Sequence, residues 1–149
     1  MENRYLFRGK AKCIVGTYNF GKEDGEWVEG SLRCDCGKYT IFQFETDSAD
    51  YIAYEVDPLT ICQCTGLKDK NGKLIWENDI VNCIDEECCG YIGWNESEAG
   101  FYFNVLLEDG SFEEKHIYDY QDCIEVIGNT FDNPELLEKE NREDSCGRK

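Results

Sequence analysis

Residues 57–81 read DPLTICQCTGLKDKNGKLIWENDIV, and this stretch decides the expected fold. Asp57-Pro58 ends the β-rich segment before it, because proline cannot donate a hydrogen bond to a strand ladder. Lys70-Asn71-Gly72-Lys73 is the strongest turn signal in the chain, since Asn-Gly suits the two positive-φ positions of a type I′ hairpin. Leu74-Ile75-Trp76 follows with hydrophobic, β-favouring side chains. The stretch therefore predicts a β-hairpin centred on Asn71-Gly72.

Short segments rich in β-branched and aromatic residues continue in both directions from this hairpin. Upstream they are residues 5–7, 13–15, 26–32, 39–44 and 51–56. Downstream they are residues 79–84, 90–94, 101–107, 111–113 and 124–127. Strands that recur every ~8–12 residues with turns between them predict a small barrel or sandwich.

One short α-helix is predicted near the C-terminus, over residues 132–141. Asn133 can cap its first turn, Pro134 suits the first helical position, and Glu135 is favourable beside the positive end of the helix dipole. Residues 142–149 are expected to form a frayed tail.

The chain is strongly acidic: Lys and Arg number 15 and Asp and Glu 32, which gives a net charge of −17 over 149 residues. The charge is uneven, because residues 1–33 carry six basic and five acidic groups, whereas residues 34–149 carry nine basic and 27 acidic groups. Nucleic-acid affinity comes largely from Lys and Arg contacts with phosphates, so direct nucleic-acid binding is not expected. An acidic surface suits solubility or a basic protein partner.

A cytoplasmic protein without a membrane segment is expected. No apolar stretch approaches the ~20 residues needed to span a bilayer. The first eight residues, MENRYLFR, carry charges where a signal peptide has an apolar core. Ten cysteines in a cytoplasmic chain then indicate thiols or metal ligands before disulfides.

Several motifs in a fixed order resemble one protein family. They are Arg8-Gly9-Lys10, residues 25–30 (GEWVEG), the stretch 57–81, and residues 125–137 (EVIGNTFDNPELL). Together they are similar to the signature of the YopX family of phage and prophage proteins. The chain departs from that signature at Cys64, where an aromatic residue is usual, and at Asn78, where Gly is usual. Asn tolerates a positive φ better than most residues, so the second change leaves the expected fold intact.

The resemblance implies a mainly β, YopX-like domain over residues 1–137. Small mixed β-sheets are expected in an N-terminal lobe, residues 1–64, and an SH3-like small barrel in residues 65–131, followed by the short helix. It also implies an origin in a mobile element and a place in the cytoplasm of a bacterial host. It supplies no activity and no catalytic residues.

The cysteines are candidate zinc ligands. Four thiolates in tetrahedral geometry would hold a structural zinc. The usual knuckle is Cys-x2-Cys, however, and alternate residues of a strand place their sulfurs roughly 6.5 Å apart. We therefore interpret the cysteines as thiols that pack as small hydrophobes, and no cofactor is expected. Zinc is kept as the alternative, with the candidate ligands Cys34, Cys36, Cys62 and Cys64.

No catalytic residue is assigned. The single histidine, His116, and Cys123 would be the base and nucleophile of a Cys–His enzyme. A lone histidine at the end of an edge-like strand is more often exposed or structural. The acidic runs 85–87 and 113–114 lack the spacing of a calcium loop and are interpreted as solvated loops or charged strand edges.

Aromatic residues form the candidate interaction surface, because aromatic faces bind peptides on SH3-type barrels. The alternative is that most of them fill the core of a small domain. The candidates are Trp27, Trp76, Trp94, Tyr91 and Tyr102.

These observations favour a non-enzymatic accessory protein of a phage or prophage that acts by protein–protein contact. Its partner would be a host or phage protein, and the free edges of a small β fold also allow a homo-oligomer. A second hypothesis is an acidic decoy that mimics nucleic acid and occupies a host DNA- or RNA-binding protein. A small enzyme or metal-binding protein is the third.

Overall fold

A computed structural model describes residues 2–12, 21–44 and 50–138. Eleven β-strands lie within these residues. They are β1 Phe7–Lys10, β2 Trp27–Asp35, β3 Lys38–Phe44, β4 Tyr51–Glu55, β5 Cys62–Lys68, β6 Leu74–Trp76, β7 Asp79–Cys83, β8 Cys88–Asn95, β9 Gly100–Leu106, β10 Phe112–His116 and β11 Ile124–Asn129. Four short 3-10 helices are Glu2–Tyr5, Pro58–Thr60, Ile117–Asp119 and Pro134–Leu137. The predicted mainly β fold is confirmed.

The chain divides into two compact units, Met1–Cys64 and Thr65–Lys149. In the first unit the strands lie in the order β4-β3-β2-β1, followed by the first three residues of β5, and each described pair is antiparallel. A bridge between Ala11 and Val56, with a hydrogen bond from Lys12 N to Glu55 O of 2.9 Å, ties the end of β4 to the chain after β1. The sheet thereby curls around a core of buried side chains: Ala11, Val28, Ile41, Tyr54 and Val56.

The second unit contains a five-stranded antiparallel sheet in the order β10-β9-β8-β7-β11. Its core consists of the buried side chains Ile75, Val81, Cys83, Ile92, Phe103, Val105, Ile117 and Ile124. No described pairing joins the edge strands β10 and β11, so the predicted SH3-like barrel is not confirmed. Three of the five residues of β10 are carboxylates or lysine, which is how sheet edges that face water are usually kept from pairing.

The turn at Asn71-Gly72 differs from the predicted type I′ geometry. Gly72 has a φ of +83°, but Asn71 has no positive φ. The Gly72 N–H donates to Asp69 O (3.0 Å) and the Asp69 N–H donates to Lys73 O (2.8 Å), so the loop has three residues and a glycine at its last position. The Asp69 carboxylate sets this geometry, because it accepts hydrogen bonds from the N–H groups of Asn71 and Lys73 at 2.9 Å. The type I′ prediction was wrong here.

The C-terminal helix also differs from the prediction. It begins at Pro134, as expected, but it is a 3-10 helix that ends at Leu137, and Glu138 is already extended. The Asn133 side chain does not cap the helix. Its Oδ1 atom instead accepts a hydrogen bond from the Asn129 N–H at 3.2 Å. The rest of the predicted helix and the tail lie outside the described residues. No helix in the described part of the chain is long and apolar enough to cross a membrane.

The cysteines correct one further expectation. Cys83 of β7 and Cys123 form a disulfide across 40 residues of sequence, with Cα atoms 5.3 Å apart. Of the six other described cysteines, Cys34 and Cys36 are exposed, Cys88 is partly buried, and Cys62, Cys64 and Cys89 are buried. The prediction of thiols before disulfides was therefore wrong for Cys83 and Cys123. The spacing of the cysteines in the sequence does not indicate this pair. The two residues come together only because the segment before β11 packs beside β7.

Candidate functional site: an aromatic and acidic sheet face

Strand register in the second unit places one set of side chains opposite the core. Ile92 of β8 pairs with Phe103 of β9, and Phe103 pairs with Lys115 of β10, so these positions share the core-facing side. The alternate positions therefore lie together on the other side of β8, β9 and β10. We call this side the outer face; it carries Tyr91, Gly93, Asn95, Tyr102, Asn104, Phe112, Glu114 and His116.

Aromatic rings follow one another across the outer face. Tyr91 and Phe112 meet edge to face, with ring centroids 5.1 Å apart. The Tyr102 and His116 rings lie 5.2 Å apart, and His116 continues to Tyr118 at 5.6 Å. Tyr118 is 72% exposed and Phe112 is 42% exposed. The face therefore carries two groups of packed rings, Tyr91 with Phe112 and Tyr102 with His116 and Tyr118, which remain open to solvent at β10 and just beyond it.

Gly93 and Asn104 hold the Tyr91 ring in place. A Cβ at Gly93 would lie 2.8 Å from Asn104 Nδ2 and 3.2 Å from the Tyr91 ring, so only glycine leaves room for both side chains. The same amide nitrogen donates to Tyr91 O and Tyr102 O at 3.4 Å. These contacts restrict the position of the Tyr91 ring.

Two carboxylates, Glu98 and Glu114, lie beside the rings of the outer face. Asn95 Nδ2 donates to both oxygens of Glu114, at 2.9 and 2.8 Å, and Asn95 Oδ1 accepts from the Glu98 N–H at 2.9 Å. Partial burial, together with the negative charges of Glu98 and Glu114, raises the pKa of the Tyr102 hydroxyl above its ordinary value of 10.0. The Tyr102 hydroxyl therefore stays protonated, and two carboxylates lie near it.

No lysine or arginine of β8, β9 or β10 lies on the outer face. Lys115 is the one cationic residue in these strands, and its register places it on the opposite side. Its ammonium lies 3.2 Å from Glu113. The outer face thus presents rings and carboxylates, groups that interact with other molecules by stacking and by charge.

The five aromatic residues predicted from the sequence do not form one surface. Tyr91 and Tyr102 share the outer face, but Trp94 pairs with Phe101 on the core side, and Trp76 is buried. Trp27 lies in the first unit, beneath the Arg8 and Lys10 side chains. Phe112, Glu114 and Tyr118 were not among the residues predicted from the sequence. The two-residue spacing of Phe112, Glu114 and His116 in a strand-like segment is the signal that would have placed the first two of them beside His116 on one side of the sheet.

A second exposed aromatic cluster lies in the first unit. Phe42, Phe44 and Tyr51 line a shallow groove of about 330 Å³, with Phe44 63% and Tyr51 55% exposed. The charges near it are already paired: Arg33 with Asp35 at 2.7 Å, and Lys38 with Glu55 at 3.4 Å. This groove therefore carries no charge that would indicate its partner.

The described residues contain no group of three or more His, Cys, Asp or Glu side chains placed to hold a metal ion. The candidate zinc ligands occupy different environments, with Cys34 and Cys36 exposed at the β2–β3 hairpin and Cys62 and Cys64 buried in β5. Cys123, the candidate nucleophile, has its sulfur bonded to Cys83. Because a disulfide sulfur is not a thiolate, the proposed Cys–His pair is not formed in this structure.

Comparison with known proteins identifies one protein family and one solved structure to which the chain is similar. A family model described as YopX protein matches residues 19–138. Among solved structures, the chain is similar to the X-ray crystal structure of protein yopX from Bacillus subtilis. The two share 21% identity and a TM-score of 0.47, over 91% of this chain and 99% of that one. No curated protein matches the chain.

Proposed function

The chain belongs to the YopX family, and we propose that it is a non-enzymatic accessory protein of a phage or prophage that binds another protein through the outer face. The observation that carries this proposal is the presence of two groups of packed rings on the outer face, Tyr91 with Phe112 and Tyr102 with His116 and Tyr118. A soluble domain does not gain stability from rings left open to water, so such a face is typical of an interaction site.

Composition and rigidity support protein binding over other roles. Tyrosine is among the residues that contribute most to protein–protein affinity, because it buries a large area with few rotatable bonds. The rings lie on paired strands and are spaced by Gly93 and Asn104, so little side-chain freedom is lost on binding. We propose that the partner is a host or phage protein in the bacterial cytoplasm, with a second copy of the chain as the alternative.

Site-specific photo-cross-linking in bacterial cells tests this proposal. A benzophenone amino acid replaces Tyr118 in the full chain, and a matched control carries it at Leu59, which is 83% exposed and lies in the first unit. We expect a discrete adduct from position 118 that the control lacks and that the substitution Phe112→Ser weakens. Identical adducts from both positions, or none from position 118, would contradict the proposal.

The acidic-decoy hypothesis predicts a different outcome in the same experiment. The net charge of −17 favours it, because a dense negative surface competes with DNA for a basic groove. When the cross-linking is repeated in a lysate of the same cells, added duplex DNA should then abolish the adduct from position 118, and the adduct protein should be a nucleic-acid-binding protein. Retention of the adduct in the presence of DNA favours the aromatic docking site.

A further inference from the structure

We propose that the outer face receives an arginine or lysine side chain from a basic segment of the partner protein. The inference rests on the proposed function and narrows it to one partner chemistry. The cation would lie against the Tyr102, His116 and Tyr118 rings, with the Glu98 and Glu114 carboxylates as its counter-charges. Three independent features of the face support this assignment.

The first feature is a pair of carboxylates without a cation. Among the described residues, no Lys, Arg or His nitrogen lies within 4.0 Å of Glu98 or Glu114, whereas Glu55, Glu113 and Glu125 each have such a partner. Glu114 is held by two hydrogen bonds from one amide group, that of Asn95, so its orientation is fixed. Asn95 occupies the edge between the two oxygens, and the outer lone pair of each oxygen remains able to accept a hydrogen bond from a cation.

The second feature is the set of ring surfaces beside those carboxylates. A cation above an aromatic ring, within about 6 Å of its centroid, is attracted by the electron-rich face of the ring. The chain already makes this contact in its first unit, where Arg8 lies 4.6 Å and Lys10 lies 5.4 Å from the Trp27 ring. The outer face has the rings for the same contact but supplies no cation of its own.

The third feature is charge complementarity at longer range. The second unit, residues 65–149, carries eight basic and 21 acidic groups, so the field around it attracts a basic segment and repels an acidic one. Nucleic acid is disfavoured by the same field.

A matched pair of peptides tests the inference. The probes are acetyl-Gly-Arg-Gly-Arg-Gly-amide and the same peptide with citrulline for arginine, which keeps the shape and removes the charge. Each is titrated into the ¹⁵N-labelled full chain and followed by amide chemical shifts. We expect the arginine peptide to bind with a Kd on the order of 1 mM and to shift the Gly93 and Gly100 signals, because its contacts are solvent-exposed.

Charge variants separate the site from the general field. The double variant Glu98→Gln/Glu114→Gln should raise the Kd of the arginine peptide on the order of fivefold, as expected for the loss of two exposed charge contacts. The control Asp122→Asn/Glu135→Gln removes the same number of exposed carboxylates elsewhere and should leave Kd within about a factor of two. Loss of the Gly93 and Gly100 shifts on Tyr118→Ala would place the peptide on the rings.

The overturning outcomes are distinct from failure of the proposed function. Equal binding of the arginine and citrulline peptides, equal effects of the two double variants, or no shift at Gly93 and Gly100 would each reject the basic partner. An adduct at position 118 in cells together with any of these results would keep the protein-binding proposal and reject only its partner chemistry. Absence of that adduct while the arginine peptide binds would reject the protein-binding proposal and leave the cation site standing.

Discussion

Asp69 shows how one buried carboxylate can organise a turn and a neighbouring strand. It is 6% exposed, and its oxygens accept hydrogen bonds from the N–H groups of Asn71, Lys73 and Val126 at 2.9, 2.9 and 3.0 Å. Burial alone would raise the pKa of Asp69. The three backbone hydrogen bonds, with a smaller contribution from the Lys73 charge, lower it below its ordinary 3.8. The ionised form is therefore the one that the fold stabilises.

Replacing Asp69 should destabilise the second unit through this network. Asp69→Asn keeps the oxygen that faces Asn71 and Lys73 but turns a donor toward the Val126 N–H, and should cost about 1–3 kcal/mol. Asp69→Ala leaves three N–H groups unpaired and should cost more. Urea denaturation at pH 7 measures both. Asp122→Asn, at an exposed carboxylate, is the control and should change the unfolding free energy by about 0.5 kcal/mol or less.

The pH dependence of the Asp69 contribution has a defined sign. Because its folded-state pKa is depressed, the stabilisation is fully present above the unfolded-state pKa and is lost as the pH falls through the folded value. The stability difference between wild type and Asp69→Asn should thus be constant near pH 7 and shrink below pH 3.8. A difference that grows on acidification would contradict the assignment.

The free-energy cost of a left-handed backbone conformation can be measured at Asn78. Its φ is +69°, its N–H donates to Ile92 O at 2.7 Å, and its carbonyl accepts from the Thr130 N–H at 2.9 Å, so the backbone is held on both sides. Both Asn78→Gly and Asn78→Ala remove the side chain, but only alanine has a Cβ that opposes a positive φ. We expect the alanine variant to be about 1 kcal/mol less stable than the glycine variant in urea. Equal stabilities would mean that the turn relaxes.

At the scale of elements, the disulfide joins β7 to the segment that leads into β11. Closing a loop of this length restricts the unfolded chain, and a separation of 40 residues corresponds to roughly 4 kcal/mol as an upper figure. Guanidinium denaturation with and without dithiothreitol should show a loss of about 2–4 kcal/mol on reduction. Mass spectrometry after iodoacetamide labelling checks the pairing: Cys34 and Cys36 should react in the native protein, and Cys83 and Cys123 only after reduction. Labelling of Cys123 without reductant would contradict it.

The strands were predictable because their signal is local. Runs such as 39–44 and 101–107 combine β-branched and aromatic residues, and the structure has strands at Lys38–Phe44 and Gly100–Leu106. Turn type was less predictable. The positive-φ pair falls at Cys36 and Gly37, which join β2 to β3 with φ values of +48° and +80°, and not at Asn71-Gly72. A neighbouring carboxylate decided the second turn, and no dipeptide rule includes it.

The candidate site was harder to predict than the strands, for a physical reason. Whether Trp94 or Tyr91 faces the core depends on a one-residue difference in register, and register is fixed by pairing with β9. Composition identified aromatic residues as important but could not divide them between the two sides of a sheet. His116 was interpreted as an exposed or structural residue, and it is exposed; its place between Tyr102 and Tyr118 follows only from the pairing of β10.

At the scale of the whole molecule, charge repulsion should outweigh the visible ion pairs. The four described ion pairs lie at or near the surface, where such pairs contribute about 0–1 kcal/mol each. Their cations are Arg33, Lys38, Lys70 and Lys115. A net charge of −17 repels itself more strongly in the compact state than in the expanded unfolded chain. Salt weakens both effects, so the sign of its influence shows which is larger.

We therefore expect the protein to become more stable as salt is added. Raising NaCl from 0.01 to 0.1 M shortens the screening length from about 30 to about 10 Å, which suppresses repulsion between distant carboxylates first. The melting temperature should rise by a few degrees, since about 1 kcal/mol corresponds to roughly 2–4 °C in a chain of this size. Sodium sulfate at equal ionic strength is the control: an equal rise identifies screening, whereas a larger rise in sulfate identifies ion exclusion from the protein surface. A fall in melting temperature over this range would mean that the paired charges, and not the excess carboxylates, dominate the electrostatics of the folded chain.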